Sequence, residues 1–115
     1  MTAYNWCQVA EEKVNPLATR RMIYGEAMTV ARRHFQKGAV TSVHRHVDEQ
    51  ICMVERGAVL VLAGGVERIV SANEVLVIPS NVPHELEALE DSLVMDVFAT
   101  PLPKPLTAIA EGEEK

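Results

Sequence analysis

Residues 38–57 read GAVTSVHRHVDEQICMVERG. In an extended strand the side chains at i and i+2 project from the same face, so His44 and His46 can aim two imidazoles at one point. Gln50 follows four residues after His46, far enough for a turn to bring its amide oxygen back to that point. Glu49 competes for the role, and strand parity separates the two. Gln50 shares a face with Cys52 and Val54, whereas Glu49 shares one with Ile51, Met53 and the charged Glu55. A face ending in Glu55 reads as the outer one, which makes Gln50 the inward residue. Of the four histidines in the chain, a third member for this group is His84, which opens the alternating segment HELEA after a proline turn. Three ring nitrogens and one amide oxygen form a mixed set suited to Mn, Fe, Co, Ni or Zn. A single histidine is more often a surface or hydrogen-bonded residue than a ligand. The framing glycines raise the odds here, since Gly38 and Gly57 mark the ends of two successive strands.

Outward from this stretch, glycine and proline break the chain at short intervals, and no long segment with helical period survives between them. The pieces left over (ICMV, AVLVLA, RIV, VLVI, LVMDVF) are short and rich in Val, Ile and Leu, as buried strands are. Regular short strands predict an all-β sandwich or barrel. Gly64-Gly65 supplies the positive φ angles of a tight hairpin between AVLVLA and VERIV. Asn73-Glu74 and Ser80-Asn81 read as further turns. Residues 17–24 fit either a short helix or an edge strand.

The chain has 115 residues, 48% of them hydrophobic and 23% charged, which suits one globular domain over 1–115. A net charge of −5 disfavours a nucleic-acid partner. No apolar run reaches the ~18 residues that cross a bilayer, and the N-terminus lacks a basic segment followed by an apolar one, so a cytoplasmic location is expected. Cys7 and Cys52 are too few for a disulfide framework and lack C-x-x-C spacing, which predicts that both are reduced.

The stretch 38–57 resembles the first conserved motif of the cupin superfamily, with Gln50 where most cupins have glutamate. Asn73, EVLVI, then Pro79-Ser80-Asn81-Val82-Pro83-His84 resembles the second motif, with asparagine twice where glycine is usual. Asparagine tolerates the left-handed backbone, so those turns survive. The resemblance covers roughly residues 14–101 and implies a double-stranded β-helix, the cupin jelly-roll barrel, with an extended or mobile tail at 102–115. A narrower resemblance, carried by H-x-H-x-x-E-Q, I-P-x-N-V-P-H and ALEDSLVMDVFATP, is to the pectin-degradation (KdgF-type) cupins. It implies an enzyme converting unsaturated uronate monomers, released from pectin or alginate, to the linear keto form. It also implies one divalent transition metal per chain (Ni, Zn, Mn, Fe or Co) on His44, His46, Gln50 and His84, with Asp96 as the catalytic acid and Phe98 beside the substrate. Small cupins of this kind resemble homodimers, and that is the expected assembly.

Asp96 lies in SLVMDVF, a run that reads as buried on both faces, where an unpaired carboxylate is costly. By parity it shares a face with Val94 and Phe98, and if that face lines the barrel the carboxylate sits near the metal or a bound substrate. The alternative is a buried aspartate paired with an arginine or turn amides. The family's arginine after D-V-F-x-P is absent. Lys104 is the nearby cation in ATPLPKP, and a lysine does not give the bidentate carboxylate fork of arginine. Arg33 shares parity with Phe35 and is the candidate substitute for binding a substrate carboxylate; its alternative is a surface residue on an edge strand. A neutral set of three imidazoles and one amide leaves a metal its full charge for Lewis-acid work. Rival readings are another H-x-H-x3-Q cupin enzyme (a cyclase, lyase or dioxygenase) and a non-enzymatic small-molecule-binding cupin.

Overall fold

β-Branched and apolar residues between turn-forming Gly, Asn and Pro leave the chain little choice but extended structure. A computed structural model describes residues 1–99. After one 3₁₀ turn at Trp6–Gln8 it contains ten strands: β1 (Glu12–Asn15), β2 (Ala18–Tyr24), β3 (Thr29–Phe35), β4 (Val40–His44), β5 (Gln50–Arg56), β6 (Ala58–Ala63), β7 (Val66–Ser71), β8 (Val75–Ile78), β9 (His84–Ala88) and β10 (Ser92–Phe98). They form a six-stranded sheet, ordered β1-β2-β3-β10-β5-β8, and a four-stranded sheet, ordered β4-β9-β6-β7. Every pairing is antiparallel. The last strand of the large sheet inserts between β3 and β5, and β9 inserts between β4 and β6. This interleaving is that of a jelly roll, the double-stranded β-helix expected from the sequence.

Alternation puts one face of each sheet inside. Phe35, Cys52, Val54, Val59, Val61, Val70 and Val94 form the core between the sheets, each no more than 3% exposed. Burying a side chain of this size contributes about 1.5–3 kcal/mol relative to leaving it in water.

The turns follow from residue chemistry. Gly64 and Gly65 have φ of 57° and 79°, the pair of positive angles of a type I′ hairpin between β6 and β7. Asn73 and Asn81 take φ of 73° and 62°, so asparagine does occupy the left-handed positions.

Residues 18–24 are a strand and not a helix, and not an edge. β2 runs in continuous register with β3, from Ala18 opposite Phe35 to Tyr24 opposite Thr29, while β1 covers its other side. β3 is equally internal, between β2 and β10, which corrects the edge-strand alternative for Arg33. β10 is buried mainly on one face. Ser92, Val94, Asp96 and Phe98 are buried, but Met95 and Val97 on the other face are only half-buried. Lys104 and the tail at 102–115 lie outside the described residues.

Candidate metal centre

The three histidines come from two strands and one loop. His44 ends β4 and His84 begins β9, and the two are cross-strand partners in the four-stranded sheet. His46 lies two residues past the end of β4, where its carbonyl accepts from the Asn81 amide. The left-handed Asn81 turn therefore fixes the loop that carries His46. The ring centroids are 4.3 Å (His44–His84), 5.0 Å (His46–His84) and 5.6 Å (His44–His46) apart. One potential ligand atom from each ring falls within 4.8 Å of the other two.

Each imidazole is held in the same manner. Nδ1 of His44 lies 2.9 Å from the Ser42 carbonyl, Nδ1 of His46 2.8 Å from that of Asp48, and Nδ1 of His84 2.8 Å from that of Val82. A carbonyl only accepts, so in each ring Nδ1 carries the proton and Nε2 presents a lone pair. This is the orientation that metal-binding histidines require of their outer partners. His84 is 6% exposed, and its Nε2 is buried without any hydrogen-bond partner. Burial lowers the His84 pKa, opposed by the Val82 carbonyl and reinforced by His44, His46 and Arg33. The ring is thus kept neutral and its nitrogen available.

Gln50 opens β5, is 5% exposed and faces inward with Cys52 and Val54, while Glu49 is exposed. Its Nε2 donates to Oδ1 of Asp96 at 2.8 Å, which fixes the orientation of the amide. Its Oε1 is then turned to Nε2 of His46, 3.2 Å away. With Nδ1 protonated, both of these atoms are acceptors. Only a cation, a second ring proton or a metal ion, makes so close an approach attractive. An orphaned imidazole nitrogen and an amide oxygen converging on a third nitrogen fit a metal of mixed N/O preference.

Asp96 is 2% exposed. Besides Gln50 on Oδ1, it has the Arg33 Nε 2.9 Å from Oδ2; that N–H is not aligned for a hydrogen bond, so the contact is an ion pair. The aspartate–arginine pairing weighed from the sequence is therefore present, and it lies within the site. Cys52, directly across from Asp96 in the β5–β10 register, has its thiol pushed far up by burial and then by Asp96, so it stays a neutral thiol. Phe98 stands edge-on to His46, at 5.6 Å and 75°, and is 4% exposed.

Arg33, Thr41, His44, Gln50, His84 and Asp96 line one small cleft of about 20 Å³. That is space for an ion or a water molecule, so a larger ligand must sit at its mouth, where His44 is exposed. A wider groove of about 290 Å³, between Leu17, His34, Phe35, Arg56 and Asp91, contains none of these groups. The sequence reading missed Asp48. It is 6% exposed, with Oδ2 buried, without a hydrogen-bond partner and 3.7 Å from Nδ1 of His46. The signal was its place two residues after His46, but parity was weighed only between Glu49 and Gln50.

The family model for the cupin domain matches residues 31–100, so the chain belongs to the cupin family. Among solved structures it is similar to KdgF from Halomonas sp., with 29% identity, 90% of this chain and 96% of that chain covered, and a TM-score of 0.83. It shares its fold with an RmlC-like cupin from Shewanella frigidimarina, at 24% identity over 88% of this chain and 91% of that one, with a TM-score of 0.81. It shares it also with the oxalate decarboxylase OxdC of Bacillus subtilis, at 17% identity and a TM-score of 0.78, covering 90% of this chain but 30% of that one. A search of curated proteins finds no match. No helix among the described residues is long and apolar enough to cross a membrane.

Proposed function

We propose that this cupin is a metal-dependent enzyme that converts unsaturated uronate monomers, of the kind released from pectin or alginate, to their linear keto form. The observation that carries the reading is the Gln50 amide, which joins Asp96 to the histidine cluster through its two ends. His44, His46, His84 and Gln50 are the proposed ligands of one divalent transition metal. When bound, that ion supplies Lewis acidity to a substrate hydroxyl or carbonyl, undiminished because all four ligands are neutral.

The remaining steps belong to the protein's own residues. Asp96, on the wall of the cleft, moves a proton to and from the substrate atoms that reach inward from the mouth. Gln50, Arg33 and Cys52 hold its carboxylate in place and keep water from it. Arg33 has five N–H donors and gives only one edge to Asp96, which leaves others for a substrate carboxylate. The ring opening asks for proton transfers and no net redox change, which suits this set of groups. The nearness in sequence and structure to KdgF supports the choice of substrate class.

The test follows loss of the conjugated chromophore of unsaturated galacturonate and guluronate monomers. Wild type is expected to consume at least one of them, and Asp96→Asn to lower kcat by about 10²–10⁴, the usual contribution of a general acid–base group. Untouched sugar in the metal-loaded wild type would reject the uronate reading. Oxygen uptake by an Fe(II)-loaded sample would then favour a dioxygenase.

A further inference from the structure

The strands end in a second opening, away from the metal centre. His84 and Phe98 lie at the metal end of β9 and β10, whereas Ala18, Phe35, Arg56 and Ser92 lie at the far ends of β2, β3, β5 and β10. The seven residues of β10 set the two ends about 20 Å apart. The groove of about 290 Å³ lies at this far end, and three connections build it. The Gln36 amide donates to the Leu17 carbonyl at 2.8 Å, tying the turn after β3 to the one between β1 and β2. The Lys37 amide donates to Oδ1 of Asp91 at 2.8 Å, tying the same turn to the one before β10. Gly57, which has no Cβ, lets the Asp91 carbonyl and Ser92 close in behind β5. The groove is thus preformed, with a volume near that of sites for small organic molecules.

Its floor is inert. Ala18 and Phe35 are apolar and buried, and the buried Ser92 hydroxyl is already bonded to the Ala58 amide and the Glu90 carbonyl. Its rim is polar and largely unpaired. Arg56 forms no ion pair among the described residues, although Asp91 lines the same groove. Asp91 has one carboxylate oxygen on the Lys37 amide, and the other has no partner among the described residues. Burial, then Arg32 and Arg21, lower the His34 pKa, with Arg56 adding to them and Glu11 opposing, so the ring is neutral and offers one N–H and one lone pair. Leu93 is the register partner of both His34 and Arg56, which sets these two residues two strand spacings apart at the backbone, about 10 Å.

These groups select a ligand class. A free guanidinium takes a carboxylate or a phosphate through paired N–H groups. The Asp91 carboxylate in the same groove repels a doubly charged phosphate and accepts from hydroxyl groups instead. A neutral imidazole and the Gln36 amide likewise serve hydroxyl groups, and Pro16 and Leu17 give carbon an apolar wall. We propose that this groove is a second small-molecule site, taking a carboxylic acid that bears several hydroxyl groups, with its carboxylate on Arg56 and its hydroxyls on His34, Gln36 and Asp91. The site shares no lining residue with the metal cleft and is independent of the reaction proposed above.

An amide-resolved NMR titration of the full chain, with and without added metal, tests it. The probe is D-galacturonate, a saturated sugar acid that the proposed reaction does not consume. Saturable shifts are expected at residues 17–19, 34–37, 56 and 91–92 whether or not metal is present, and gluconate should shift the same amides. Arg56→Gln, at an exposed position, should raise the dissociation constant read from those amides about tenfold or more, with unchanged circular dichroism. Galactose, which lacks the carboxylate, and acetate, which lacks the hydroxyls, should each bind at least about tenfold more weakly than galacturonate. The inference is overturned by the absence of saturable shifts at these residues up to about 50 mM of either sugar acid, by an equal response to galactose or inorganic phosphate, or by an unchanged dissociation constant in Arg56→Gln.

Discussion

Gln50→Glu would place a second carboxylate where the amide now donates to Asp96 at 2.8 Å. Two carboxylates at that distance share a proton instead of both ionising. The variant is therefore expected to keep its metal, gaining an anionic ligand, while kcat/KM falls at least about tenfold and its pH profile shifts upward; elemental analysis beside pH–rate curves reads both. Asp48→Asn leaves in place the backbone carbonyl that accepts from Nδ1 of His46, and removes only a carboxylate oxygen 3.7 Å away, so metal affinity should drop less than about tenfold, read by competition with a chelator. His34 offers a pH test away from the centre. Burial, then Arg32 and Arg21, lowers its pKa below 6.5. Below 6.5 the unfolded chain binds the extra proton more readily, so this contribution to stability is present above 6.5 and is lost as pH falls through the lower folded value. The fall in Tm from pH 7.5 to pH 5 should accordingly be smaller in His34→Gln than in wild type. At this scale the sequence was informative wherever two-residue parity sufficed, as for Gln50 against Glu49. A pairing of Asp96 with an arginine was legible as an alternative, but not that Arg33 supplies it, because that contact depends on β3 and β10 being neighbours although more than fifty residues separate them.

Strands and turns were largely legible because Gly, Asn and Pro have narrow conformational reasons to be where they are. Gly57 is the strongest case among them. Its φ is +91°, and an added Cβ would overlap the Asp91 carbonyl and Ser92. Gly57→Ala should cost at least about 2 kcal/mol, a fall in Tm on the order of 10 °C by thermal melting. Asn73→Gly, at φ 73°, should melt close to wild type, because glycine adopts that angle without a Cβ penalty. The segment 17–24 was ambiguous since its own pattern, LATRRMIY, favours neither period; pairing with β1 and β3 decides it. Half-burial of Met95 and Val97 was likewise invisible, as an apolar run reads alike whether its outer face packs on protein or is left partly in water.

For the molecule as a whole, cupin topology was reached through motif resemblance, whereas composition and periodicity alone led only to a β-sandwich or barrel. Strand order is a property of long-range pairing, and no local signal places the last strand in the middle of a sheet. The same topology makes the proposed metal a cross-link, joining a turn of the chain at His46 to both β4 and β9. Metal that binds only the folded state stabilises it by mass action, about 2.7 kcal/mol at a hundred times its Kd. Chelator-treated protein should consequently melt lower than the reloaded protein, by several degrees. The most direct measurement is elemental analysis of purified wild type beside His84→Ala. The account predicts about one first-row transition metal per chain in wild type and little in the variant. Equal metal in both, or none in wild type even after incubation with each candidate ion, would contradict it.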